Sequence, residues 1–426
     1  LSAPAPDVPP PGAHARAIDA AYAVLFAAAP LLAVFAHRGF APLMLVAGVL
    51  AATRGELWRL GRNRIIRRPD LRDPLTAGAL AVLALSGWIA ASGLWSPQPA
   101  AGKLALNVAG AAFACGAAVW AASGGPRPRL AALYAGAVIL GAALLFIESR
   151  TGGLLRALAP PADLSPERHK DITALGRGLT ALAPAVFPAA ALVHLYAKGR
   201  MRAPALAPVA LVALALAAAL GLTIAANVAA LAAGALAAAL ALAAPRRVLG
   251  GLFWLALGLL AAAPLLAAAL PAEALATGAF GELPLSWLQR LFIWRAAGGL
   301  ALDCLPWGCG ADFARAYSAA GATVSLPGAE GPVPLLPIHP HSVFLQIWLE
   351  LGLPGAALFG VVLIAGFALL ARADPAPPLA AALAGAAAAV LVSAAIEASL
   401  WQVWRLAAVG FAGIGVMLTK CIHDRR

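Results

Sequence analysis

A chain of 426 residues in which 62% are hydrophobic and 11% are charged, with a mean hydropathy of +0.88, is too apolar for a soluble domain. Its net charge of +12 comes from basic residues scattered among short polar segments, not gathered with aromatics on one interface, which excludes nucleic acid as a partner. Apolar runs of about 20 residues, the length that crosses a hydrocarbon core, recur along almost the whole chain and predict an all-α polytopic membrane protein surrounded by membrane lipids.

In chain order, Leu1 to Pro11 are proline-rich and lack the basic, apolar and cleavage regions of a signal peptide. They read as part of a cytoplasmic tail over 1–19, ahead of a single membrane domain over 20–426. Spans are predicted at 20–36, 40–53, 74–95, 104–122, 131–148, 178–197, 204–221, 224–244, 248–270, 353–371, 379–398 and 406–420, twelve helices with both termini on one side. The second is the weakest, being short and containing Pro42, so it tilts, thins the bilayer or forms a re-entrant pair with the first. In this register 19 of the 30 basic residues fall on the side of the termini, chiefly Arg54, Arg59, Arg62, Arg64, Arg67, Arg68 and Arg72, the pairs Arg127 and Arg129 and Arg246 and Arg247, and the trio Lys198, Arg200 and Arg202. Most of the other 11 lie in two long loops, so the bias assigns the termini to the cytoplasm and the long loops, about 149–177 and 271–340, to the outer face.

The first long loop carries Glu167-Arg168-His169-Lys170-Asp171 and ends on Leu175-Gly176-Arg177-Gly178 as the next span begins. The second is the one large enough to form a lid and is expected to carry short helices. Within it, the spacing of Trp287, Arg290, Leu291 and Trp294 predicts one face of an interfacial helix. On that face Arg290 either snorkels or stacks on Trp294, or holds a phosphate, since a guanidinium fork matches two phosphate oxygens. Cys304 and Cys309 lie close together, and an oxidising compartment permits a disulfide between them; the sequence leaves the pairing open. The cysteines lack a second ligand pair of zinc-like spacing and His339-Pro340-His341 lacks further ligands nearby, so neither a metal nor a cofactor is expected.

The segment His339-Pro340-His341-Ser342-Val343-Phe344-Leu345-Gln346-Ile347-Trp348-Leu349-Glu350-Leu351-Gly352 places two imidazoles and a carboxylate where the large loop re-enters an apolar span. Histidine has the side-chain pKa nearest neutrality and can take a proton from a hydroxyl there, which makes this the expected site of chemistry. The plainer alternative is an interfacial helix whose histidines sit among lipid headgroups. Glu350 reads as a helix contact of Gln346 rather than a catalytic acid. Ionisable residues within spans are costly and mark function or a buried pair; Glu397, near the outer end of the eleventh span, faces the same cavity as His341 or pairs with Arg405.

Taken together, Arg290-Leu-Phe-Ile-Trp294, Pro306-Trp-Gly308-Cys-Gly310 and His339 through Gly352 resemble, in order and spacing, the O-antigen ligase and polymerase family of bacterial inner-membrane proteins. Arg177-Gly178-Leu179-Thr180 and Trp401-Gln402-Val403-Trp404 are similar to its alphaproteobacterial branch, and the resemblance covers about 149–405. It implies an inverting, metal-independent glycosyltransferase of the inner membrane with its site facing the periplasm. The implied donor is a glycan on undecaprenyl diphosphate, and the implied acceptor is a hydroxyl of the lipid A core or of another glycan. Carried over, His341 is the base and Arg290 holds the diphosphate, with Arg295 grouped beside it; His339, Ser342, Gln346 and Glu397 support them. Two departures stand out. Ser342 replaces the family's usual Asn, and Leu222 to Val228 lacks a Ser-Arg pair that many members carry, for which Arg177 is the natural substitute. A polymerase using the same donor is the close alternative. A lipid-linked glycan flippase is disfavoured because the polar residues cluster on one membrane face, and no pair of broken helices repeats between the halves.

Overall fold

The computed structural model describes residues 13–53, 62, 70–125, 127–158, 168–278, 284–326 and 328–425. Residues 1–12 of the expected tail, Arg54, Arg59, Arg64, Arg67 and Arg68 of the basic cluster, Pro166 and Glu167 lie outside the described residues, as do the side chains of Arg168, His169 and Lys170. The helices are α1 (Ala13–Phe35), α2 (Phe40–Ala52), α3 (Pro74–Ala91), α4 (Ala101–Ala122), α5 (Pro128–Thr151), α6 (Arg168–Ala197), α7 (Leu206–Leu220), α8 (Ala226–Ala243) and α9 (Pro245–Ala268). They continue with α10 (Ala272–Thr277), α11 (Leu285–Asp303), α12 (Phe313–Ala319), α13 (Val343–Ala373), α14 (Pro377–Ile396) and α15 (Val403–His423). A single antiparallel ribbon among the described residues pairs Thr323 with Pro334 and Val324 with Val333.

The fold is thus all-α and polytopic. Each of the twelve expected spans falls on a helix, but ten are long and apolar enough to cross a membrane. The two that fall short are α2, at 13 residues, and α7, at 15, which rises only about 22 Å. The weakness of α2 was legible in Pro42; α7 is cut short by the Gly221-Leu222 turn that precedes α8. The large loop is more ordered than a lid of short helices: α11 alone is 19 residues long.

α6 forms the centre of the bundle. Every residue from 178 to 192 is buried, as expected of a helix apolar on all sides. Close approach depends on small residues where helices cross. A Cβ at Gly178 would lie 1.7 Å from the Ala33 carbonyl of α1, and one at Gly234 of α8 would meet both Phe187 of α6 and the Gly385 carbonyl of α14. α9, by contrast, buries only Leu249, Leu260, Pro264 and Ala267 and presents the rest of its apolar surface outward.

α13 departs most from expectation, starting ten residues before the span predicted from hydropathy. Ser342 caps it, accepting the Leu345 N–H at 3.4 Å, and Phe344 through Ile347 are buried. The helix breaks at Gly352, whose φ of 62° and ψ of −156° suit glycine, two residues before Pro354. The carbonyls around the break are satisfied by other chain segments. Leu349 accepts the Cys309 N–H (2.8 Å), Glu350 the Gly310 N–H (3.0 Å) and Leu351 the Trp88 indole (2.8 Å), while Leu353 N–H donates to Pro306 (2.8 Å). Cys304 and Cys309 form a disulfide, so a closed loop is docked against the kink.

Residues expected on one membrane side contact one another. Arg127 pairs with Asp19 (2.9 Å), Arg246 with Asp374 (2.7 Å) and Arg372 approaches Asp73 (3.8 Å), all within the set assigned to the side of the termini. The other end of the bundle holds Arg290, His341 and Arg405.

Candidate active site

At that end five chain segments enclose a cavity of about 200 Å³. α6 supplies Thr173 and Arg177, the turn before α8 supplies Thr223 to Ala226, and α11 supplies Ser286, Trp287 and Arg290. His339 and His341 come from the segment before α13, and Glu397, Gln402 and Arg405 from the turn joining α14 to α15. The sequence-predicted His339, His341, Arg290, Arg177 and Glu397 are therefore brought together although they span more than 200 positions.

His341 sits in the left-handed region, at φ 54°, a conformation that costs a β-carbon-bearing residue on the order of 1–3 kcal/mol. Its N–H donates to Nδ1 of His339 at 3.2 Å, across the intervening Pro340, and the two rings lie 4.4 Å apart. Because Nδ1 of His339 accepts, its proton resides on Nε2. Burial, followed by the charge of His341 and of Arg405, Arg177 and Arg290, pushes His339 down to about 3. Burial and Arg290 likewise push His341 down to about 4, with Arg405 acting in the same direction, opposed by the Glu397 charge and by a hydrogen bond to the Glu397 backbone. Both imidazoles are therefore neutral at physiological pH. Nδ1 of His341 is buried without a partner among the described residues.

Arg290 is fixed from two sides. Its Nε donates to the Ile396 carbonyl (3.1 Å) and one terminal nitrogen to the Ser286 carbonyl (2.7 Å), while the guanidinium lies 5.1 Å from the centre of the Trp287 ring. The stacking partner is thus Trp287 and not Trp294: the α11 residue three positions before Arg290 is reached by a side chain that leans toward the helix N-terminus. Among the described residues its other terminal nitrogen has no hydrogen-bond partner, and the side chain lines the cavity. Arg177 is exposed, and no hydrogen bond holds it among the described residues. Thr223, Ile224, Ala225 and Ala226 form the wall beside it. α6 is locked to that wall, because Asn227 donates to the Gly176 carbonyl (2.8 Å) and accepts from Thr180 (2.8 Å).

The third cation, Arg405, is committed. It pairs with Glu397, donates to Gln402 and to Ser393 Oγ (2.8 Å), and lies 4.6 Å from the Trp404 ring centre. Glu397 therefore does both things its position suggested, facing the cavity and pairing with Arg405. Arg295 is not brought to the site; it is exposed and pairs with Glu273 of α10.

Below the cavity, Gln346 and Glu350 hold the site without facing it. Gln346 donates to Glu350 (3.0 Å) and accepts the Leu400 N–H (2.9 Å). Glu350 also accepts from the Trp401 indole (2.8 Å) and from the Asp312 N–H (2.5 Å). One carboxylate thus ties α13 to both the α14–α15 turn and the disulfide loop, a structural role that agrees with its reading as a Gln346 contact. Sequence reasoning missed His37 as a neighbour of the site, and it placed Trp287 on the face of Arg290 and quoted Gln402 without giving either a role there. His37, in the turn between α1 and α2, carried no local signal.

Residues 209–360, just over a third of the chain, match the family model described as O-antigen ligase. The match includes Arg290, His339, His341, Ser342 and Gln346 but stops short of Glu397 and Arg405 and begins after Arg177. No curated protein matches the chain.

Proposed function

We propose that this chain, a multi-pass membrane protein carrying an O-antigen ligase domain, transfers a glycan from undecaprenyl diphosphate to an acceptor hydroxyl, most specifically O-antigen to the lipid A core. The observation that carries this reading is the charge arrangement of the cavity. Arg405 and Glu397 neutralise each other, leaving Arg290 and Arg177 beside the neutral His341, a match for a doubly charged diphosphate next to a base.

In this mechanism Arg290 and Arg177 bind the diphosphate and stabilise the charge it gains as leaving group, the electrostatic help that needs no metal. The acceptor oxygen attacks the anomeric carbon while its proton passes to His341, and the bond from that carbon to the diphosphate oxygen breaks with its electron pair leaving on the diphosphate. A single displacement inverts the anomeric centre. The Glu397 charge favours the imidazolium that results. Ser342 starts the helix behind the base, and His339 holds its backbone. An apolar groove of about 280 Å³, lined by Leu259, Ala263, Trp294, Ser342 and Ile396, reaches the residue whose carbonyl binds Arg290 and suits the first isoprene units. The basic residues at the opposite end support an inner-membrane orientation with the long loops in the periplasm.

The test is transfer by purified protein from a carrier-linked donor. His341→Ala and Arg290→Ala abolish product, Arg177→Ala lowers it, and activity persists in EDTA. Intact transfer in Arg177→Ala beside loss in Arg290→Ala would remove Arg177 from the diphosphate site, and loss in EDTA with recovery in magnesium or manganese would overturn the metal-independent mechanism. Deleting the gene separates ligase from polymerase: loss of every lipopolysaccharide ladder band with carrier-linked chains accumulating marks a ligase, and core carrying one repeat marks a polymerase.

A further inference from the structure

The apolar groove at Ile396 continues inward. A second cavity, of about 370 Å³, shares Leu259 and Ala395 with it and lies between α8, α9 and α14. The described residues lining this second part are alanine, glycine, valine and leucine only. On α14 the lining positions 388, 391, 392 and 395 follow the three- and four-residue spacing of a single helix face. Together the two parts extend along α9 from Val248 to Leu266, about 27 Å at 1.5 Å per residue, which is most of the thickness of a hydrocarbon core.

The shape of this furrow has identifiable causes. Pro264 lacks the N–H that would close onto the Leu260 carbonyl, and the Trp348 indole of α13 donates to that carbonyl instead (2.6 Å). Further in, Phe253 of α9 stacks on Phe367 of α13, with ring centres 4.3 Å apart. α9 is thus pinned along α13, while on its other side small residues face the gap: Ala233 and Ala237 of α8, Gly251 of α9 and Ala388 of α14. The inner end is floored, because Leu249, Ala241 and Ala384 are buried in one cluster with Ala237 and Ala388. The outer end adjoins the charged cavity, since Ile396 lines the furrow and its carbonyl holds Arg290.

We propose that this furrow seats the polyprenyl chain of the donor's carrier and reads its length, with the first units in the outer groove and later units in the inner part above the Leu249 floor. This rests on the reading that the donor is a polyprenyl diphosphate held at Arg290. The chain that fills the furrow is the one whose head is fixed at its outer end. Lipid is as apolar as the lining, so the gain is packing and orientation of the chain, not transfer from water.

The test uses the purified full-length protein in phospholipid nanodiscs and two donors that carry the same oligosaccharide, one on undecaprenyl diphosphate and one on the much shorter farnesyl diphosphate. Gly251→Trp fills the inner part; a Cβ at this position meets nothing within 4 Å, so the backbone accepts a side chain there. It is expected to raise the KM of the undecaprenyl donor about fivefold, the order of one packing contact within a membrane, and to leave KM and kcat of the farnesyl donor unchanged. Gly251→Leu gives a smaller rise in the same direction and carries the test if the tryptophan variant does not fold. Gly250→Trp, whose Cβ is equally unobstructed but which lines neither part among the described residues, changes neither donor. An unchanged KM for the undecaprenyl donor, an equal rise for both donors, or the same rise in Gly250→Trp would assign the furrow to bulk lipid and overturn the proposal. If the native protein transfers from neither donor, the polyprenyl diphosphate reading fails and this proposal with it; if it transfers and Gly251→Trp does not separate the two donors, the furrow assignment alone fails.

Discussion

Replacing Arg405 by methionine removes a charge from the cavity while keeping an apolar stem of similar length. In the native protein this guanidinium and Glu397 are 12% and 10% exposed and satisfy each other. Removing one member of a buried pair leaves the other uncompensated and costs about 3–5 kcal/mol. The same change acts on the base. Arg405 holds the His341 pKa down and Glu397 holds it up, with a native value of about 4, so Arg405→Met withdraws the lowering influence and leaves the raising one in place; the displacement is upward. A unit charge lining the same cavity, at an effective dielectric of about 20, contributes on the order of 2 kcal/mol, or roughly 1.5 pKa units. The acid limb of kcat/KM, which for the native enzyme leaves His341 neutral above pH 5, is therefore expected to rise toward pH 5.5. Glu397→Gln moves it the other way, below its native position, and Arg405→Met with Glu397→Gln returns it close to native while recovering much of the lost stability. Transfer rates from pH 4 to 8 and thermal unfolding in detergent measure both effects. A limb in Arg405→Met that stays fixed or falls would refute the coupling of this pair to His341, and a double variant whose stability loss equals the sum of its parents' losses would refute their mutual compensation.

Ser342→Asn is expected to keep both fold and transfer, because asparagine caps a helix as well as serine, whereas Ser342→Ala loses about 1 kcal/mol of stability and some activity; thermal midpoints and transfer rates of the two variants check the order. Replacing Cys304 and Cys309 together by serine opens a loop of six residues, worth about 2 kcal/mol in chain entropy. Both that variant and reductant treatment should lower the midpoint alike, and a midpoint insensitive to reductant would show that the backbone hydrogen bonds around Gly352 suffice.

Much of this arrangement is legible in the sequence because a bilayer imposes one length on every crossing, so twelve apolar runs gave twelve helices in place. The failures have local causes. α13 begins at Val343 because Ser342 can cap it and because Gln346 and Glu350, polar enough to depress a hydropathy window, are satisfied by Leu400, Trp401 and Asp312. Those partners are distant in sequence. The convergence of Arg290, His341 and Arg177 was anticipated through motif resemblance, not through periodicity. Arg295, by contrast, shares a helix with Arg290 but points to Glu273, since residues five apart face different directions. His37 was invisible because Arg156, Arg177 and Trp404, which with its neighbour Arg38 define its surroundings, lie more than 100 positions away.

The docking of the disulfide loop onto the Gly352 kink divides the long connection into parts with different freedom to vary. Residues 304–312 are tied to α13 by backbone bonds and by Glu350, and α13 is started by Ser342. Between these two posts run residues 313–341, whose Thr323–Val324 and Val333–Pro334 ribbon packs against α10 and α11. Lengthening a tethered segment costs only about 0.6 kcal/mol per doubling, and neither post moves when its contents change. Insertions between Phe313 and Ile338 can therefore be accommodated while His339, His341 and the two posts stay where they are.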